Sequence, residues 1–278
     1  MQITICGARG STPAPGAAFL RYGGETSCVA IAHDGQDPSL VLDAGTGLRT
    51  LTAALDGRAF RGTILIGHLH WDHTHGLPFF RSGDREDASV RVMIPAQGDA
   101  SATMALAMSP PHFPVRLEEL QGAWSVEGLE PGTSEIEGFS VTALDIPHKN
   151  SRTFGFRITD GSTSVAYLSD HWPTQIGPGA DGIGELHDAA LALCEGVDVL
   201  LHDSQYKRDE LKVRGDFGHA CVEYAARLAE ACKVKRLVLF HHDPERTDDE
   251  IDEILLDLRS ASVVRIEAAA EGMTLTLP

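Results

Sequence analysis

His68, His70, Asp72 and His73 stand in the pattern H-x-H-x-D-H, inside the stretch IGHLHWDHTHGL. Imidazole nitrogens and carboxylate oxygens are donors that suit zinc, and that also hold manganese or iron. In extended backbone alternate residues face one side, so His68 and His70 can grip one ion together. Asp72 and His73 lie just beyond and turn toward a second. Histidine is only 13 of 278 residues, so four of them between His68 and His75 mark a metal loop rather than a solvated one. No cysteine stands near this stretch, which sets aside the closed thiolate set usual for structural zinc. Metal-assisted hydrolysis is the chemistry such a set serves.

A metal loop needs strands to deliver it. The apolar run Thr63–Ile66 enters the loop and Gly76 closes it. Further strands are expected at Ile3–Cys6, Cys28–Ala32, Leu40–Leu42, Val90–Ile94, Phe139–Leu144, Thr153–Ile158, Val165–Leu168, Val197–Leu201, Leu237–Phe240 and Met273–Leu277. Several are continuous apolar runs, as in strands covered on both faces. Helices are expected at Leu48–Leu55, Ala189–Glu195, Ala220–Ala231 and Asp248–Leu258. In the third, Val222, Ala225, Ala226, Leu228 and Ala229 make an apolar stripe of helical period. No linker or repeat interrupts the alternation, so residues 1–278 read as a single α/β domain.

Composition narrows the partners. The net charge is −17, from 40 acidic against 23 basic residues. No basic cluster is available to follow a phosphate backbone, which disfavours a long nucleic acid. No run reaches the length of a membrane span. The opening MQITICGARGS is strand-like and lacks the zones of a signal peptide, so the cytoplasm is the expected location. Five cysteines without a CxxC pair read as reduced, buried thiols. The oligomeric state stays open, a homodimer included.

The order strand, DAGTG (Asp43–Gly47), strand, HLHWDH resembles the metallo-β-lactamase fold superfamily, and the likeness runs through nearly the whole chain. It implies a four-layer αββα sandwich with two divalent metal ions between the facing sheets. His68, His70 and His148 (in DIPHKN) would hold one ion, and Asp72, His73 and His241 (in LVLFHHD) the other. Asp170 (in YLSD) would bridge them. His242 is the alternative to His241, which is preferred because it directly follows the apolar strand. Asp43 would orient the histidine loop through hydrogen bonds rather than bind metal. Two divalent cations, about 3.5–4 Å apart, against the carboxylates of Asp72 and Asp170 leave a positive site that attracts an anionic ester.

Later motifs resemble the ribonuclease Z and small-phosphodiesterase branch: VLLHDSQY, then DFGHACVEYAARLA, then VKRLVLFHHDPE. The likeness implies that Asp203 pairs with His219 at the opening of the next helix. His219 would then donate the leaving-group proton, with Asp72 and Asp203 completing the catalytic set. The chain departs from ribonuclease Z at His202-Asp203-Ser204-Gln205, at His242-Asp243 and at His171, an extra imidazole expected near the metals. The interval from His148 to Asp170 holds only a hairpin, where ribonuclease Z inserts its tRNA-gripping arm. The expected activity is therefore hydrolysis of a small phosphodiester such as a cyclic nucleotide or cyclic phosphate. The alternatives are a glyoxalase-type thioester hydrolase, a tRNA 3′-processing endonuclease, or a non-catalytic metal-dependent binder. His75 and His112 are candidates for the substrate pocket. His33 and His187 read as solvated, and Trp71 and Trp172 as packing or base-stacking residues.

Overall fold

Two seven-stranded sheets face each other in the computed structural model, which describes all 278 residues. The chain first lays down β1 (Gln2–Gly7), β2 (Cys28–Ala32), β3 (Leu40–Leu42), β4 (Arg61–Leu65), β5 (Ser89–Pro95) and β6 (Ala123–Leu129). It continues with β7 (Gly132–Ile136), β8 (Phe139–Ile146), β9 (Thr153–Thr159), β10 (Ser164–Leu168), β11 (Val199–Asp203), β12 (Arg236–Phe240) and β13 (Arg265–Ala268), and returns with β14 (Thr274–Thr276). The first sheet runs β14-β1-β2-β3-β4-β5-β6 and the second β13-β12-β11-β10-β9-β8-β7. Helix α1 (Leu48–Ala54) covers the first sheet at β1 and β2, and α2 (Ala100–Ala107) covers it at β6. On the second sheet α3 (Asp188–Cys194) packs on β8 to β10. After the single turn α4 (Leu211–Arg214), α5 (Val222–Ala231) covers β11 and β12, and α6 (Asp248–Ala261) covers β13. This is the four-layer αββα sandwich.

The strand sequences explain the layers. Along β2, Val29 and Ile31 enter the core between the sheets, while Cys28 and Ala30 enter the core under the helices of the first sheet. Along β10, Val165 and Tyr167 face the inner core, and Ala166 and Leu168 face α3 and α5. A strand with period-two side chains can be apolar throughout only when both faces are covered. The outer helices are amphipathic to match: α5 buries Val222, Tyr224, Ala225, Ala226, Leu228 and Ala229 on one stripe. Thr247 caps α6, accepting from the backbone N–H of Glu250 while Glu250 reaches back to the N–H of Thr247. No helix is long and apolar enough to cross a membrane.

Five elements exceed the sequence expectations, the single turn α4 among them. Strands β6, β7 and β13 are sheet edges, and β7 (GTSEI) buries only Ile136. An edge strand has a neighbour on one side only, so its apolar pattern is weak. Helix α2 is made of small residues, buries only Met104, and is started by Asp99, whose carboxylate accepts from the Ala102 N–H at 2.9 Å. One boundary moves in a consequential way. The chain from His219 to Cys221 is extended and bridges Tyr206, so α5 begins at Val222 rather than Ala220. His219 therefore precedes the helix instead of opening it.

Candidate metal centre

Strands β3, β4, β8, β10, β11 and β12 end at one rim of the sandwich, because β3 to β6 are parallel and β8 runs in the direction of β10 to β12. Loops at the carboxyl ends of such strands are where α/β sheets bind ligands. β4 delivers His68, His70, Asp72 and His73; β8 delivers His148; β10 delivers Asp170; β11 ends at Asp203; and β12 delivers His241. Donor atoms of three sets lie within 4.8 Å of one another: His68, His70 and His148; His68, His73 and Asp170; and Asp72, His73 and His241. The two further sets bring in His219, one with His148 and Asp170, the other with Asp203 and His241.

The histidine loop is fixed by its backbone. Gly76 N–H donates to the Ala44 carbonyl at 2.8 Å, and Ala44 N–H donates to the His73 carbonyl at 2.8 Å. A Cβ on Gly76 would lie 2.0 Å from the Gly45 carbonyl oxygen, so only glycine lets the metal loop close on the DAGTG turn. Asp43 sits beneath, fully buried, with φ 58°. Its carboxylate accepts from Gly67 N–H, His73 Nδ1 and the Tyr167 hydroxyl, each at 2.7 Å, and from the Ser169 hydroxyl at 3.1 Å. With Nδ1 donating to Asp43, His73 turns Nε2 toward the cluster. His148 is set likewise, with Nδ1 donating to the Gly218 carbonyl at 2.7 Å. Histidines that hold metal commonly have the second nitrogen anchored in this way.

The Nε2 atoms then face carboxylates. His73 Nε2 lies 2.9 Å from Asp170 Oδ2 and 3.2 Å from Asp72 Oδ2, and His241 Nε2 lies 3.0 Å from Asp72 Oδ2. His73 Nε2, both nitrogens of His68 and Asp170 Oδ2 are buried without a hydrogen-bond partner. Titration tells the same story. Burial would raise the Asp170 and Asp72 carboxyls, but the surrounding imidazoles hold both well below the usual range. Burial would also lower His73 and His241, yet Asp72, Asp170 and, for His73, Asp43 raise them instead, His241 to about 9. His68 and His148 follow burial downward, His148 to about 4. The ionised carboxylates draw protons onto His73 and His241, and divalent cations, which would displace those protons and meet the orphaned donor atoms of His68, His73 and Asp170, fit the set.

Beside this cluster Asp203 is fully buried and Oδ2 accepts from His219 Nδ1 at 3.0 Å, from His171 N–H at 3.0 Å and from Ala220 N–H at 3.3 Å. His219 and Asp170 line a cleft of about 360 Å³ together with Ser11, Leu69, His70, Trp71 and Asp72. The two histidines at 241 and 242 separate cleanly. His241 enters the cluster, whereas His242 Nε2 bonds the Ala269 carbonyl at 2.9 Å, and burial with the nearby Arg9 brings its pKa down to about 3. His171 corrects the expectation of an extra imidazole beside the metals. It turns behind the cluster, with Nδ1 3.0 Å from His202 Nε2, and belongs to none of the ligand sets. His33 is not a solvated residue either: it stacks on Phe139 at 3.9 Å and bonds the Glu137 carbonyl. His187 is half-buried near His171. Trp172 donates its backbone N–H to the Pro147 carbonyl at 2.7 Å, tying the Asp170 loop to the His148 loop.

Three contributors escaped the sequence. The Ser11 N–H donates to Asp72 Oδ2 at 2.7 Å, and Ser11 has φ 60°. A Cβ on Gly10 would meet His241 Nδ1 at 2.4 Å. Arg9, wholly buried, donates to the carbonyls of Gly23, Asp243 and Arg246 and so holds the chain that follows His241. The small-residue run after β1 was their only signal. Asp43 offers a direct test. Asp43→Asn keeps the shape but loses the charge that anchors His73, and metal affinity should fall about 10–100-fold in chelator competition. An unchanged chelator midpoint would make Asp43 a purely structural acceptor.

Comparison with known proteins adds lineage. The model of the beta-lactamase superfamily domain matches residues 39–242. Ribonuclease Z of Listeria innocua is 26% identical over 238 residues, spanning 71% of this chain and 75% of that protein. Among solved structures, the metallo-β-lactamase fold protein YhfI of Bacillus subtilis has a TM-score of 0.74 at 17% identity, covering 99% of both chains. The short form of human tRNase Z has a TM-score of 0.69 at 20% identity, covering all of both chains.

Proposed function

This chain belongs to the β-lactamase superfamily, among its metal-dependent hydrolases, and from that premise we propose that it cleaves a small phosphodiester at a centre of two divalent metal ions. Zinc suits the imidazole-rich donor set, with manganese or iron as the alternatives. His68, His70 and His148 would hold one ion, Asp72, His73 and His241 the other, and Asp170 both. Bound there, the metals supply a water made nucleophilic at neutral pH and a Lewis acid for the phosphoryl oxygens. The substrate class fits a cyclic nucleotide or cyclic phosphate, whose one or two charges a positive pocket can meet.

The observation that carries the reading is the Asp203–His219 pair on the wall of the cleft, 3.0 Å apart. Phosphodiester cleavage releases an alkoxide that needs a proton. His219 directs Nδ1 toward Asp203, so the opposite ring nitrogen is free to donate while the carboxylate stabilises the imidazolium. The backbone N–H groups of His171 and Ala220 hold Asp203 in place for that work. Turnover of a cyclic-nucleotide panel and bis(p-nitrophenyl) phosphate, against a glutathione thioester, tests it. Faster thioester hydrolysis would transfer the assignment to the glyoxalase-type class.

The ribonuclease Z relatives favour a second reading, tRNA 3′ processing. Against it stand the short β9–β10 hairpin, which fills the interval from Thr153 to Leu168, and the charge of −17. Each phosphate contact along an RNA needs a Lys or Arg and releases counterions. We expect 3′-extended tRNA to remain uncut at physiological salt while small phosphodiesters turn over with little salt dependence. Specific cleavage of the tRNA would reverse the choice.

A further inference from the structure

A second pocket, of about 320 Å³, lies on the far side of the metal loop. Its floor is Leu77, Met104 and Met108, all buried, and its rim carries His75, Phe79 and Phe113. The volume and the mix of an apolar lining with a few polar groups are those of small-molecule sites. No carboxylate lines it, in a chain with 40 acidic residues. The wall between the two pockets is one stacked pair: Trp71 lines the metal cleft, His75 lines the second pocket, and their rings lie 5.5 Å apart at 18°. Trp71 is 70% exposed, so the ridge is open to a ligand passing over it.

We propose that this pocket seats a planar aromatic group of the ester, on the non-reacting side of the phosphorus, with the ester crossing the Trp71–His75 ridge. The proposal rests on the phosphodiesterase reading and extends it to what the substrate carries. Phe79 and Phe113 meet edge to face at 5.9 Å and form the mouth that would clasp the ring. An aromatic anion suits a lining without acidic groups better than a cation does.

4-Phenylbutylphosphonate and butylphosphonate present the same anion to the metals, on a chain long enough to cross the ridge, and differ only in the ring. Calorimetry on the metal-loaded protein should give about tenfold tighter binding of the phenyl compound. In Phe79→Ala and in Phe113→Ala that ratio should fall toward one, with metal content and thermal midpoint measured alongside; Phe79 is 60% exposed, so its truncation spares the core. Equal binding of the two phosphonates by the native protein, or a ratio untouched in both variants, would overturn the pocket even if phosphodiesters are cleaved. An aryl preference that disappears in the variants, in a protein that cleaves no phosphodiester, would keep the pocket and remove the reaction. Binding of neither compound removes both. A dimer that dissociates on Phe79→Ala while the aryl preference persists would assign this face to a second copy of the chain instead.

Discussion

Asp170→Ala should yield a folded protein that retains fewer than two metals per chain and loses turnover by about 10³-fold or more. The carboxylate is 1% exposed, and Oδ2 lies 2.9 Å from His73 Nε2 and 3.4 Å from His241 Nε2. Oδ1 lies 3.5 Å from His148 Nε2 and 3.8 Å from His68 Nε2. One side chain thus faces imidazoles from both proposed ion sites. Removing it also leaves buried histidines without their counter-charge. Elemental analysis and turnover are to be measured on the same preparation, with Asp170→Asn as the variant that keeps the volume. Two metals per chain and native turnover in Asp170→Ala would take Asp170 out of the centre. One metal or none in freshly purified, active native protein would overturn the dinuclear reading itself.

His219→Ala should keep the metals and lower kcat by about 10²–10⁴-fold on esters with poor leaving groups. Activated aryl esters leave as stable phenolates and need little protonation, so their loss should be much smaller. Asp203→Asn should follow the same pattern more weakly, because it disturbs the orientation of the imidazole rather than removing it. Equal losses on both substrate types would make His219 a positioning residue. The contrast between leaving groups separates the proton-donor role from simple damage to the cleft, which would lower all rates together.

Much of this centre was legible because metal ligands carry rare side chains at strand ends. His68, His70, Asp72 and His73 announced themselves by type and spacing, whereas His148, Asp170 and His241 were picked out as candidate donors by the family likeness, each following an apolar run. The same likeness, not spacing, supplied the proposed pairing of those donors into two sites. The four-layer arrangement was also within reach, since strands such as Cys28–Ala32 and Val165–Leu168 are apolar on both faces and must be covered twice.

Tertiary structure decided what depends on contacts between distant segments. Adjacency to the apolar strand favoured His241 over His242, but it is the left-handed φ of 59° at His241 and the close approach of Gly10 that send one ring into the cluster and the other toward Ala269. His171 looked like a metal neighbour by adjacency to Asp170, but consecutive residues leaving a strand point to opposite faces, and its ring pairs with His202 behind the sheet. The sequence therefore determined which chemistry is present and at which strand ends. Which nitrogen faces which carboxylate was decided by loops that meet only once both sheets have closed on their shared core.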